Sequence, residues 1–579
     1  MRYPTLSAPK TSREMIDVFG GYNHNLRISS GEFYDMTNLS SAHYPVLSPR
    51  PKRGIYATPR NPQGMIAKDA LCYIDGGDFI INDYRVSMGL TVDDTPKTLI
   101  SMGAYVIIMP DKKYINTTDL SDFGNIEATV TTATPVTFEL CKMDGTEYDN
   151  VKVQSAAPTS PANMDLWIDT SSTPHTLKQY STVNSIWVNI ATTYVKISAT
   201  GIGIPFSIND GVTISGIENK ALSDLNATMV IWAKGDNYIV VTGILDTVTT
   251  QDTPITVKRQ MPNMDFIIES ENRLWGCHYG TALNGEMVNE IYACKLGDFK
   301  NWNCFAGIST DSYVASVGSD GQFTGAITHL GYPLFFKENY MHKVYGNYPS
   351  NYQIQTTACR GVQRGCSRSL AIVNEVLYYK ARSSVCAYDG SLPVEISSAL
   401  GDISYSNAVG GALGNKYYIS MSDPDEVYNL FVYDTKKGMW HKEDNTRPDE
   451  FCTCRGDLYY IDHSDKKIKS ILGSGTLDKA AVGWMAETGI IGTDSPDKKY
   501  ISRLDVRMSL DIGTAVYFFI QYDSTGDFEH IFTMTGTTLR SFAVPIRPKR
   551  CDHLRLRIVG EGEAKIFSIC KTIEQGSDV

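Results

Sequence analysis

The segment from Gly410 to Trp440 constrains this chain more than any other. Gly410 and Gly411 open a strand. Lys416-Tyr-Tyr-Ile419 follows, then Leu430-Phe-Val-Tyr-Asp434, a turn, and Trp440. The pattern reads as one four-stranded blade of a β-propeller. Paired glycines let a backbone approach its neighbour closely, and the Trp fills the gap to the next blade. One such sheet cannot bury both faces, so the segment requires companions.

The companions are legible. Related units read at Met264-Asp-Phe-Ile-Ile268 with Arg273-Leu-Trp-Gly-Cys-His-Tyr279 and Trp302, at 325–345, at 370–389, and at Cys452 to Ile468. Their spacing of roughly 40 to 50 residues suits propeller repeats, and the unit resembles the kelch type of blade. Upstream, Gly64 to Met109 reads as one to two more blades, with Asp75-Gly-Gly-Asp78 as a hairpin turn. Six or seven blades are expected.

Three other regions break the pattern. Residues 1–53 read as an extended arm. Ser12 to Phe19 is expected to make two helical turns with Ser12 as N-cap. Pro45, Pro49 and Pro51 keep the end of the arm out of any inner strand. Its cations Arg50, Lys52 and Arg53 are candidates for clasping a neighbouring subunit. Between 117 and 262 the chain turns to Thr, Ser, Ala and Asn, which reads as one or two inserted β modules dividing the propeller into 54–116 and 263–477. From 478 to 579, Leu504, Val506, Met508 and Leu510 alternate with polar residues, as do Val516, Phe518, Ile520 and Tyr522, and Leu554, Leu556 and Ile558. Period two means half-buried antiparallel strands, hence a C-terminal β-sandwich or jelly roll. The fold class is all-β: a propeller, an inserted small β module and a C-terminal sandwich.

Composition limits the partners. The net charge is −11, which argues against a general nucleic-acid binder but not against a wall that DNA slides past. The twelve cysteines show no paired metal spacing and read as small apolar residues of a protein made in a reducing cytoplasm. No apolar run is long enough to span a membrane.

Each candidate site has a plainer reading beside it. Cys452, Cys454 and His463 could hold a metal, but a blade strand explains both thiols and a fourth ligand is missing. His278, His329, His342 and His441 read as one recurring blade position rather than as acid–base groups. Asp75/Asp78, Asp93/Asp94, Asp423/Asp425 and Glu443/Asp444 read as turn carboxylates, since glycosidase pairs usually come from separate elements. Asp494-Ser-Pro-Asp497 lacks the spacing of a calcium loop. Trp167, Tyr180 and Trp187 could stack on sugars or form the small core of a module. Arg547, Lys549, Arg550, Arg555 and Arg557 are the best candidates for touching DNA or an acidic partner, against a solvated strand face. No cofactor, metal or catalytic group is expected.

Three stretches carry a family resemblance: Tyr34-Asp-Met-Thr-Asn-Leu-Ser40 with Pro45 to Gly54, Asp311 to Ala326, and Ser568 to Ser577. They resemble virion proteins of tailed bacteriophages and prophages of gut Firmicutes. These in turn look like the propeller-containing tail hub or nozzle proteins, often labelled packaged-DNA stabilisation proteins. The resemblance implies a structural virion protein and not an enzyme. It implies a homo-oligomeric ring, six subunits being expected, beneath the portal and adaptor. That ring would extend the channel for double-stranded DNA without sequence specificity and would retain the genome until ejection. Its place is the virion tail, after assembly in the host cytoplasm. Two alternatives remain from the sequence: a receptor- or carbohydrate-binding tail protein, and a propeller glycosidase or lyase.

Overall fold

A computed structural model describes residues 11–575 apart from 94, 307–310, 479 and 494–496. Strands dominate it, and the helical turns among the described residues are short 3-10 segments such as Lys220–Leu225. No helix among them is long and apolar enough to cross a membrane.

Seven blades surround one axis. Six are continuous four-stranded units at 62–87, 98–125, 266–316, 325–358, 371–395 and 406–442. The seventh takes Pro448–Cys454, Asp457–Asp462 and Ile468–Ser470 from late in the chain and its fourth strand, Gly54–Ala57, from the start, with the short Thr476–Leu477 pairing beyond it. The ring closes where the inner strand of blade 7 meets Pro62–Ala67 of blade 1, and the Met65 amide donates to Glu450 Oε2 at 2.9 Å.

The glycine argument holds at the segment that suggested it. A side chain at Gly410 would meet the Ser369 carbonyl oxygen at 2.6 Å, and one at Gly411 would meet Phe451 Cβ of blade 7 at 2.7 Å. Trp440 is buried and its indole N–H donates to the Ile396 carbonyl at 2.8 Å, linking blade 6 to the end of blade 5. Between blades lie separate apolar layers: Ile74, Phe79 and Ile108 between blades 1 and 2, Trp275, Ile291 and Phe335 between 3 and 4, Tyr418, Leu430 and Leu458 between 6 and 7. Each fully buried side chain of this size contributes about 1.5–3 kcal/mol.

The insertion leaves after Asn125 and returns before Phe266. Two of its sheets share one core of Phe138, Val195, Ile197, Val212, Ile214, Ile239, Val241 and Val257. A third, four-stranded sheet spans Lys152–Gln154, Leu166–Asp169, Thr176–Ser181 and Ile186–Asn189 around Leu166, Ile168 and Leu177. The amides of Asn301 and Asn303 in blade 3 donate to the Asn209 carbonyl and anchor the insertion to the wheel.

The C-terminal strands alternate as their sequence demands. Leu504, Val506, Met508, Val516, Phe518, Ile520, Leu556 and Ile558 are all buried in one cluster. The two layers come from one sheet, because the 24-residue strand Lys499–Tyr522 breaks register between Leu510 and Ala515. Its first half pairs with Ala564–Gln575 and its second with Leu554–Glu561.

The arm differs from expectation. Thr11–Ile16 is a strand paired antiparallel with Ala564–Gln575, not a pair of helical turns. An open ladder edge satisfied that backbone, and tertiary pairing overrode the local cap signal. Gly21–Tyr22 and Glu32–Thr37 then bridge Met439–Lys442 of blade 6 to Gly483–Thr488, so one continuous sheet joins the propeller to the C-terminal layers.

Arg50 and Arg53, expected to clasp a neighbour, are consumed within the chain. Arg53 reaches Glu443 at 2.8 Å and Asp444 at 2.9 Å, and Arg50 reaches Asp444 at 3.2 Å. Burial disfavours the Arg53 charge, but Asp444, Tyr460 and Glu443 outweigh it and hold the group well above the ordinary guanidinium range. Lys52 lies at the rim with its ammonium toward the Asp478 carbonyl at 3.4 Å. Removing one partner of a buried charge cluster costs about 3–5 kcal/mol. Arg53→Met should therefore lower the unfolding free energy measured by urea titration by an amount of that order. A loss under about 1 kcal/mol would contradict this role.

Candidate functional site

Charged residues gather in several places, among them the arm cluster, the interior of blades 3 to 6 and the C-terminal layers. Glu443 and Asp444 read as turn carboxylates in the sequence. They sit just past the outer strand of blade 6 and receive the arm, and Asp444 also makes the expected turn, accepting from the Thr446 amide at 3.1 Å. Their signal was an acidic pair directly after the Trp-ended strand, matched by Arg50 and Arg53 in the Pro-rich segment. Asp423 does make a turn, accepting from the amides of Asp425 and Val427 at 3.0 and 2.9 Å. Asp75 accepts from the Arg60 and Asn61 amides and, with Asp78, binds Arg85. Asp93 caps Thr95. Asp94 lies outside the described residues, as do Asp494 to Pro496.

The four histidines do not share one blade position. His278 lies on the second strand of blade 3 and contacts Asp265 at 3.0 Å. His329 ends the first strand of blade 4 and donates to the Glu375 carbonyl at 2.6 Å. His342 lies on the third strand of blade 4, between Ser319 Oγ at 2.8 Å and Thr356 Oγ1 at 2.9 Å. His441 lies on the fourth strand of blade 6. Burial, with Lys337 beside it, lowers His342 to about 4, and burial, with Lys416, lowers His441 to about 3.

Two internal lysines do share a position, which the sequence reading did not single out. Lys337 and Lys380 end the second strands of blades 4 and 5, after Phe-Phe and Tyr-Tyr. Both are buried. Lys337 donates to Asn289 Oδ1 at 2.9 Å and the Ser319 carbonyl at 2.7 Å, and its ammonium stands 4.7 Å from the Phe323 ring centre. Lys380 donates to Gln363 Oε1 at 3.0 Å and the Ala381 carbonyl at 2.5 Å. Burial pushes both below the usual lysine range. Each ammonium ties loops to its blade, the repeated aromatic-Lys ending being the signal that could have marked it.

Cys452 and Cys454 lie on the inner strand of blade 7, and burial raises both thiols, which disfavours the thiolate a metal needs. His463 is held by Asp449 at 2.6 Å. Among the described residues no group of three or more His, Cys, Asp or Glu side chains is arranged to hold a metal ion. Trp167, Tyr180 and Trp187 pack with one another on the outer face of the third insertion sheet, the Trp rings 5.4 Å apart and edge-on. Trp167 is buried, and its N–H donates to the Gln154 carbonyl at 2.8 Å. Lys178 crosses its face at 4.9 Å. This is module packing with Tyr180 and Trp187 half-buried.

The C-terminal cations divide. Arg555 and Arg557 bind buried Glu487 at 3.3 and 2.6 Å and lie over the rings of Tyr34 and Phe528. Arg547, Lys549 and Arg550 are exposed; Lys549 stands 4.7 Å from the Tyr522 ring centre and 3.7 Å from Glu529. Only these three of the five present their charge outward.

No family model matches the chain, and no curated protein does. Among solved structures it is similar to a Trypanosoma rangeli sialidase in complex with sialic acid, at 10% identity and a TM-score of 0.24, covering 98% of this chain and 96% of that one. It is also similar to an exo-β-1,3-galactanase from Phanerochaete chrysosporium with β-1,3-galactotriose, at 9% identity and a TM-score of 0.20, covering 76% and 99%. A glycoside hydrolase matches at 9% identity and a TM-score of 0.15, covering 65% and 94%. These neighbours are glycosidases, and the expectation that the chain is not an enzyme is set aside on that finding. At such TM-scores they assign it no reaction, substrate or residue.

The neutral histidines set a pH response. Their folded pKa values lie below the ordinary value near 6.5, so stability is complete above that value. It falls as pH drops toward about 4 for His342 and about 3 for His441, because the unfolded chain takes protons that the folded chain refuses. Two pH units below 6.5, each histidine should cost about 2–3 kcal/mol. His342→Asn should flatten the urea-midpoint profile between pH 6.5 and 4.5, and an unchanged slope would contradict the assignment.

Proposed function

We propose that the chain is a structural virion protein of a tailed phage, a tail hub or nozzle subunit. Its copies form a ring, six being the expected number, that extends the DNA channel below the portal and adaptor and helps retain and deliver the genome. The observation that carries this reading is mechanical. The propeller and the C-terminal layers are joined through one continuous sheet, which makes each subunit a stiff wall segment rather than two domains on a linker. The net charge of −11 supports it too, since a negative wall repels passing phosphates. So does the pairing of Arg555 and Arg557 with Glu487, which removes two cations that would otherwise hold DNA. The three sequence stretches named above support the same family of roles.

Negative-stain images of the purified chain, with antibody labelling of virions, test the proposal. Rings with a central channel and label at the tail are expected. Monomers at every concentration, or label away from the tail, would contradict it.

A further inference from the structure

A cavity of about 470 Å³ lies between the two C-terminal layers. Val506 and Ile569 line it from one layer, Phe518 and Ile558 from the other, and all four are buried. The segments 26–31 and 489–493 complete its lining. Leu26 and Arg27 line it while exposed to solvent, so the cavity opens on their side. Its size falls within the roughly 300–1,000 Å³ of small-molecule sites.

Two charges face into this apolar space, and strand register puts them there. Lys571 stands directly opposite Leu504 on one side and Glu14 on the other. Residues directly opposite in an antiparallel pair share a face of the sheet. Leu504 is 1% exposed and belongs to the core, so Lys571 and Glu14 lie on the inward face with Val506 and Ile569. Lys571 is 5% exposed, and its ammonium meets Glu14 at 3.0 Å. Glu14 also accepts from the Ser30 hydroxyl on the 26–31 segment. An ammonium carries three donors, so the ion pair leaves Lys571 able to donate to a further acceptor.

The charges around the cavity balance. Lys571 and Arg27 stand against Glu14 and Glu32, and Glu32 accepts from the Asn23 side-chain amide at 3.0 Å and the Ser29 backbone amide at 2.7 Å. A charged guest would add an uncompensated charge among apolar walls, which is costly. An uncharged head group with an oxygen acceptor keeps the balance and uses the Lys571 donor.

We propose that the cavity binds an uncharged single-chain lipid, its aliphatic chain between the layers and its oxygen-bearing head on Lys571. The chain leaves water for the walls formed by Val506, Phe518, Ile558 and Ile569. The Lys571 ammonium donates to the head oxygen beside its contact with Glu14. This binding site stands apart from the ring proposed above and does not depend on it.

Calorimetric titration of the full chain with 1-decanol tests it, with sodium decanoate and decyltrimethylammonium as charged comparators. One decanol per chain is expected, with a negative heat-capacity change. Its affinity should exceed that of either comparator by about tenfold or more. Lys571→Met keeps the apolar walls and should weaken decanol by about tenfold. A diazirine-bearing analogue of decanol, photolysed on the wild type, locates the site without any substitution. Its label should fall on Lys499–Tyr522, Leu554–Glu561 and Ala564–Gln575. Absence of saturable binding, or label on other strands, would overturn the proposal. So would binding that appears only when residues 1–10 are cleaved away, since the chain's own start would then be the occupant. Tighter binding of a charged comparator would overturn the neutral head. Unchanged affinity in a Lys571→Met variant that melts with the wild type would overturn the role of Lys571.

Discussion

The closure of the wheel by Gly54–Ala57 is the constraint on which the rest depends. A propeller is stable only when its last blade meets its first, and here the last blade is incomplete until the N-terminal segment supplies its outer strand. Arg53 directly precedes that strand, and its ion pairs fix the strand against blades 6 and 7. Placing the cluster where Glu443 and Asp444 leave blade 6 links two neighbouring blades through one guanidinium. A buried charge is costly alone, so the arm either docks with all of its partners or leaves several unsatisfied. That coupling makes closure cooperative.

The same segment does a second job. Before reaching the wheel it crosses the C-terminal layers as Thr11–Ile16 and Glu32–Thr37, and it meets blade 6 through Tyr22 opposite Trp440. The chain's beginning thus stitches its end to its middle. That stitching places the C-terminal layers and blade 6 in one continuous sheet.

Much of the fold was legible because blades repeat. Gly410, Gly411 and Trp440 carried contact information as well as local conformation, and the alternation at 504–510 and 516–522 named the buried face directly. Seven blades follow because Gly64 to Met109, which reads as one or two, forms parts of two separate sheets, while the Gly54–Ala57 strand of the last blade pairs with Ile468–Ser470 across more than 400 residues, a contact that no local pattern encodes. The helix expected at Ser12 failed for the same reason, since the partner strand lies at the opposite end of the chain. Sites were less legible. Asp423 and Asp444 both cap local amides as read, but the arginine partners of Glu443 and Asp444 are distant in sequence and no local pattern shows them. The histidines looked equivalent in the repeat yet occupy four different strand positions, because aromatic neighbours recur on every strand of a blade. Lys337 and Lys380 were overlooked because a lysine at a strand end usually reaches solvent.

Hydrogen exchange read at the amides of Gly54–Ala57 tests this account most directly. If the strand closes the wheel, those amides open only with the wheel itself and exchange as slowly as those of Ile468–Ser470 and the inner strand Pro448–Cys454. Rapid exchange at 54–57 with the remaining blades still protected would show that the ring closes without its N-terminal strand, and the account would be wrong.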